Sequence, residues 1–208
     1  MSTPRQFKIK HTSFSRHYTV LSPDEQPLYH ADQSAFTHDK ANLTLHAGSD
    51  TSGPIVAVAH LPRLSFDAKI GLGDPSSSSG DMAWEDLHRS SRDASAHEWS
   101  MTLPDGGRRR TFAWRRTHRV SADGMESSAL TMRDLKLVEV TEGEGEEEVV
   151  AVFTGQRGWS SCGVLQINDE RYGPAFDIMV TATMLAIYEK ARRRRAREGQ
   201  RGTDLIPR

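Results

Sequence analysis

The sequence predicts an all-β fold: a closed antiparallel β-barrel of about a dozen strands around a buried C-terminal α-helix. Three observations carry that prediction. Short apolar runs, several strictly alternating, recur from residue 7 to residue 168 with few helix signals among them. Residues 176–190 (FDIMVTATMLAIYEK) are then apolar on nearly every side of a helix, and a basic run, residues 191–197 (ARRRRAR), follows at once. A helix that is apolar all round must be buried on all sides. Fifteen helical residues reach only about 22 Å, against the roughly 30 Å of a bilayer's hydrocarbon core. Such a helix needs a protein wrapper, and a dozen short strands need a second layer. A barrel closed around the helix supplies both and leaves no sheet edge.

The strands are expected in this order. Residues 7–11 (FKIKH) and 17–21 (HYTVL) alternate apolar and polar, and 27–30 (PLYH) follows. Residues 42–46 (NLTLH) and 55–59 (IVAVA) flank the turn formers of 48–53 (GSDTSG). Residues 66–72 (FDAKIGL) alternate again before a glycine turn and the serine tract of 76–80. Later strands are placed around Trp84 and at 97–103, 111–117, 135–140, 149–154 and 164–168. Pro174 suits the first turn of the closing helix, and Asp177 lies near its positive end. Four consecutive arginines, 192–195, point in every helical direction, so burial is expected to stop near Lys190.

These elements divide the chain into a short tail (1–5), one barrel domain (6–191) with its central helix at 174–191, and a basic tail (192–208). Net charge is −1 over 208 residues, yet residues 190–201 carry seven basic side chains and one acid. A near-neutral total thus conceals a basic tail on a mildly acidic body. The single cysteine, Cys162, precludes an internal disulfide and fits a reducing compartment. The residues after Met1 lead into a strand pattern with no apolar leader segment, so a cytoplasmic or nuclear location is expected.

Two basic clusters are the candidate binding features. The tail, with Arg192, Arg193, Arg194, Arg195 and Arg197, reads three ways: a solvated helix extension, an anionic-lipid or phosphate site, or an import or nucleic-acid arm. The second cluster, residues 108–119, interleaves arginines with Phe112, Trp114 and His118. On a strand, Phe112, Trp114 and Arg116 share one face while Arg109 and Arg115 share the other. An outward row of Arg109 and Arg115 can meet phosphates, or it can balance the acidic loop at 142–148. Catalytic and metal chemistry find no constellation. In 158–163 (GWSSCG) the second glycine comes one residue too late for a nucleophile elbow, and Cys162 reads as a small buried residue at a strand start. The nine histidines are scattered singly without metal-ligand spacing, and 71–75 (GLGDP) is a turn rather than a phosphate loop.

The layout resembles the tubby C-terminal-like superfamily, which includes tubby proteins, phospholipid scramblases and the plant LURP-one-related proteins, and within it a fungal branch. The likeness rests on 18–30 (YTVL…PLYH), 43–59 (LTLHAGSD…GPIVAVA), 112–118 (FAWRRTH), 135–138 (LKLV) and 149–154 (VVAVFT), and best on the closing helix. The resemblance implies a twelve-stranded barrel around a central hydrophobic helix. Functions in that superfamily differ: tubby domains bind phosphoinositides, scramblases are linked to lipid movement, and the plant members to defence. No scramblase-like cysteine cluster or calcium loop is found. The expectation is a non-enzymatic module without cofactor or metal, binding anionic phospholipid headgroups through Arg109, Arg115 and Arg192–Arg195 with Arg197. The alternative is a protein-interaction or nuclear adaptor whose tail serves as an import or nucleic-acid arm.

Overall fold

A computed structural model describes residues 4–11, 17–34, 41–77, 82–90, 95–103, 107–126, 134–141, 147–156 and 160–203, with side chains of the last segment through Glu198. The far part of the serine tract, most of the acidic loop at 142–146, Gly158, Trp159 and the chain from 204 onward lie outside the described residues. Twelve strands form one closed antiparallel barrel. They are β1 (Arg5–His11), β2 (His17–Leu21), β3 (Pro27–Gln33), β4 (Leu43–Ala47), β5 (Ile55–His60) and β6 (Ala68–Leu72), followed by β7 (Ala83–Arg89), β8 (His97–Thr102), β9 (Arg109–Arg116), β10 (Leu135–Glu139), β11 (Val149–Gly155) and β12 (Ser161–Ile167). Each strand pairs with its sequence neighbours, and β1 closes the ring on β12. Helix α1 (Gly173–Thr203) follows.

The alternation of apolar residues puts one face of every strand against the helix. Trp99, Trp114, Phe112, Phe153, Tyr18 and Leu137 are fully buried, as are Phe176, Met179, Val180, Met184 and Ala186 of α1. Phe176 packs among Trp99, Phe112 and Tyr172, with ring centroids 4.5–5.9 Å apart. Two buried threonines interrupt the helix's apolar surface without stranding a hydroxyl. Thr181 donates to the Asp177 carbonyl, and Thr183 donates to Val180 and accepts the indole N–H of Trp114 at 3.0 Å.

The barrel closes across a bulge. Register along β1 and β12 shifts between Ile9, opposite Gly163, and Lys10, opposite Ser161. Gly163 takes a φ of +153°, and a Cβ there would lie 2.2 Å from the Thr154 carbonyl oxygen, so only glycine fits. Arg5 begins β1, and its guanidinium donates to Asp177 of the helix at 2.9 Å, tying the first strand to the last element.

Strand direction decides what surrounds each end of the helix. The chain leaves β12 at one end and α1 runs back through the barrel, parallel to the odd-numbered strands. The helix therefore emerges among the last residues of those strands and the connections that follow them. Contacts agree: Arg192 reaches Gln33 at the end of β3, and Lys190 reaches the connection after β5. The helix continues past residue 191 to Thr203, so the basic run is a projecting helical extension rather than a separate coil.

Candidate functional site

The last buried turn of α1 ends on a carboxylate. Glu189 is fully buried and accepts from three side chains: the Tyr18 hydroxyl at 2.5 Å, the Arg192 guanidinium at 2.7 and 3.0 Å, and Arg193 Nε at 2.6 Å. Burial pushes its pKa up, but the bonds from Arg192, Tyr18 and Arg193 outweigh that and hold the carboxyl below its ordinary value. Burial and the neighbouring carboxylate together drive the Tyr18 phenol far above its ordinary range. A buried charge survives only when paired and hydrogen-bonded. Arg192 and Arg193, spaced i,i+3 and i,i+4 from Glu189, are its counter-ions.

Beside this clamp lies a cationic cavity of about 780 Å³ at the barrel mouth. The helix contributes Lys190, Arg193, Arg194, Arg195 and Arg197 to its wall. Arg63 from the β5–β6 connection and the strand-end residues Arg89 and Arg116 face them. Glu198 is the single carboxylate among the described lining residues, and it pairs with Arg194 at 3.5 Å. Apolar groups also line the cavity, among them Leu61, Leu135, Ile187 and Tyr188. The concentration of positive charge registers on the groups inside it. Burial, then the Arg89 and Lys190 charges, bring His97 down to about 4, so its ring is neutral near pH 7. Burial likewise lowers Lys190, with Arg193 and Arg197 adding to the effect against the opposing pull of Asp67.

The connection between β5 and β6 forms one rim. Lys190 Nζ donates to the carbonyls of Pro62 at 3.2 Å and Ser65 at 2.9 Å, and Arg197 donates to the Arg63 carbonyl at 3.3 Å. The Leu61 N–H donates to the Asn42 amide oxygen. Held this way, the rim turns Leu64 fully outward, with Phe66 about half exposed beneath the Arg89 guanidinium at 4.5 Å. These two are the exposed large hydrophobic residues among those described.

Of the expected binding residues, the structure gathers Arg193, Arg194, Arg195 and Arg197 at this mouth. Arg192 lies next to them, committed to Glu189 and Gln33. The other two sit elsewhere. Arg109 opens β9, at the end where the helix enters, and grips the nearly buried Glu85 with two bonds of 2.8 and 2.5 Å. That pair ties β9 to β7 near the part of the wall where β7 and β8 diverge, since their register covers only His88–Glu98 and Arg89–His97. Arg115 is bonded to Glu147, which Lys136 also contacts at 2.6 Å. These residues balance acids rather than build the cavity.

Sequence reasoning missed Arg63, Arg89 and the placement of Arg116 at the mouth. A signal existed for Arg116: it shares the inward face of Phe112 and Trp114, and an inward arginine at a strand end has only the barrel mouth to occupy. Cys162 is buried in β12. Among the described residues no group of three or more His, Cys, Asp or Glu is arranged to hold a metal ion, and no helix is long and apolar enough to cross a membrane. No family model matches the chain, and no curated protein or solved structure matches it.

Proposed function

We propose that this chain is a non-enzymatic, tubby-like module that binds anionic phospholipid headgroups, phosphoinositides above all, at a membrane surface reached from the cytoplasm. The observation behind this reading is the concave cluster at the helix exit, where the described lining residues hold eight basic side chains, Arg193 among them already paired with Glu189, and one carboxylate, Glu198. Concavity is the discriminating property. A compact headgroup with several phosphates can be surrounded by cations converging from the helix, the strand ends and the rim, whereas a flat or projecting basic arm offers only diffuse attraction. Each cation near an anionic surface contributes about 1 kcal/mol. The barrel threaded by its own C-terminal helix also agrees with the architecture that the tubby-like resemblance implies.

The test is vesicle co-sedimentation at physiological salt with neutral, phosphatidylserine and phosphoinositide vesicles, alongside an R194A/R195A/R197A variant. Arg192 and Arg193 are left intact because their loss strands Glu189 and confounds folding with binding. Phosphoinositide-selective binding that falls more than tenfold in the variant is expected. Absence of binding, binding that merely follows vesicle charge, or a preference for duplex nucleic acid contradicts the proposal and favours the adaptor reading.

A further inference from the structure

We infer that the rim at residues 61–67 is a membrane-inserting wedge, so that the barrel stands on an anionic bilayer with its helix-exit end down and Leu64 and Phe66 in the interface. The inference rests on the headgroup reading and deepens it, by naming a bilayer rather than a free phosphate compound as the partner. Four features combine. Leu64 is completely exposed and Phe66 is 47% exposed, two residues apart on one connection, while the other large apolar side chains among the described residues are buried or half-buried. The connection borders the cationic cavity, so a surface that attracts Arg63, Arg194, Arg195 and Arg197 also meets Leu64. Apolar tips ringed by basic side chains match the chemistry of a bilayer surface, where hydrocarbon lies just beneath a layer of anionic phosphates.

The third feature is the rim's backbone. A loop entering the interface loses water from its carbonyls, and unsatisfied carbonyls there are costly. In this rim the carbonyls of Pro62, Arg63 and Ser65 already accept from Lys190 and Arg197. The same cations that build the cavity thus hold the wedge in its exposed shape, which lowers the ordering cost of insertion. Fourth, the Arg89 guanidinium lies 4.5 Å from the Phe66 ring centroid. A cation stacked on an aromatic ring places a positive head and an apolar plate at one level, the depth at which headgroups give way to acyl chains.

The inference is tested by an environment-sensitive thiol-reactive fluorophore attached through Leu64→Cys in the full chain, with Thr51→Cys as control. Thr51 is exposed in the β4–β5 connection, at the opposite end of the barrel. Cys162 is buried, and labelling of the unsubstituted chain measures its background. Binding is read separately, by co-sedimentation with phosphoinositide vesicles. The expected result is a blue-shifted Leu64 probe, quenched by lipids brominated along their chains, while the Thr51 probe remains water-like. Leu64→Ser weakens vesicle binding by roughly tenfold, the scale expected for one leucine withdrawn from hydrocarbon, and affects binding of a soluble inositol phosphate far less, although Leu64 borders the cavity. Sedimentation with a water-like Leu64 probe, or unchanged vesicle affinity of Leu64→Ser, overturns the wedge and leaves headgroup binding standing. Failure to sediment at all overturns both.

Discussion

At the residue scale, the cations at the barrel mouth divide into those bonded to a buried carboxylate and those that are not. Arg192 and Arg193 belong to the first kind, because Glu189 has no exposure and accepts from both. Removing them with R192A/R193A leaves a buried carboxylate without its counter-ions, a change that costs about 3–5 kcal/mol. A large drop in the denaturation midpoint is expected, and Glu189→Gln added to the same variant recovers part of it. Acid sensitivity follows from two groups. Glu189 is held below its ordinary pKa, so its contribution is present above the unfolded value, about 4.3, and is lost as pH falls through the folded one. His97 is lowered to about 4, so between the ordinary value of about 6.5 and about 4 the unfolded chain binds a proton that the fold does not. Stability therefore falls as pH drops through that window, by roughly 3 kcal/mol. His97→Gln flattens that segment in denaturation curves recorded from pH 4 to 7 and leaves the more acidic limb of Glu189. Burial, with the Arg89 and Lys190 charges adding to it, holds His97 down; a phosphate bound in the cavity would offset those two charges, so the NMR titration of His97 is expected to shift to higher pH on adding a soluble inositol phosphate.

At the scale of elements, α1 has a filling half and a projecting half, and the boundary is set by Glu189 rather than by the first arginine. A chain ending at residue 193 is expected to melt within a few degrees of the full chain while losing vesicle binding; one ending at 191 is expected to be destabilised as R192A/R193A is. The closing strand makes a separate demand. Gly163→Ala drives a methyl group against the Thr154 carbonyl of the neighbouring β11, so a lowered thermal midpoint is expected without any change in headgroup selectivity. The helix was legible because its composition has one physical solution, burial on all sides. The rim was not. The alternation of 66–72 reads as a strand from Phe66, but β6 begins at Ala68. Asp67 accepts from the Ser65 hydroxyl and the Arg89 N–H, which turns the chain before pairing starts and leaves Phe66 outside. Periodicity records which residues can share a face; it does not record a side chain that intercepts the backbone.

For the whole molecule, the barrel was legible and the site only partly so, for one reason. A fold built of sequential antiparallel strands follows from local patterns, whereas its mouth is assembled from residues far apart in the chain. Arg63, Arg89, Arg116 and Arg195 are spread over more than half the sequence, and only the direction of the odd-numbered strands brings them together. The same limit applies to Arg109 and Arg115. Their basic cluster is plain in the sequence, but Glu85, which occupies Arg109 at 2.8 Å, is 24 residues away and reachable only through the curvature of the wall. On the proposed reading the cationic cavity, rather than total positive charge, binds anionic headgroups. The most direct measurement is the vesicle affinity of two triple variants matched in charge. One is R63A/R195A/R197A in the cavity; the other is R108A/R109A/R171A at the end where the helix enters. A loss of more than tenfold is expected for the cavity variant and less than threefold for the other, with both folded by circular dichroism. Equal losses would overturn the cavity as the binding site, because they would mean that the membrane reads net charge alone.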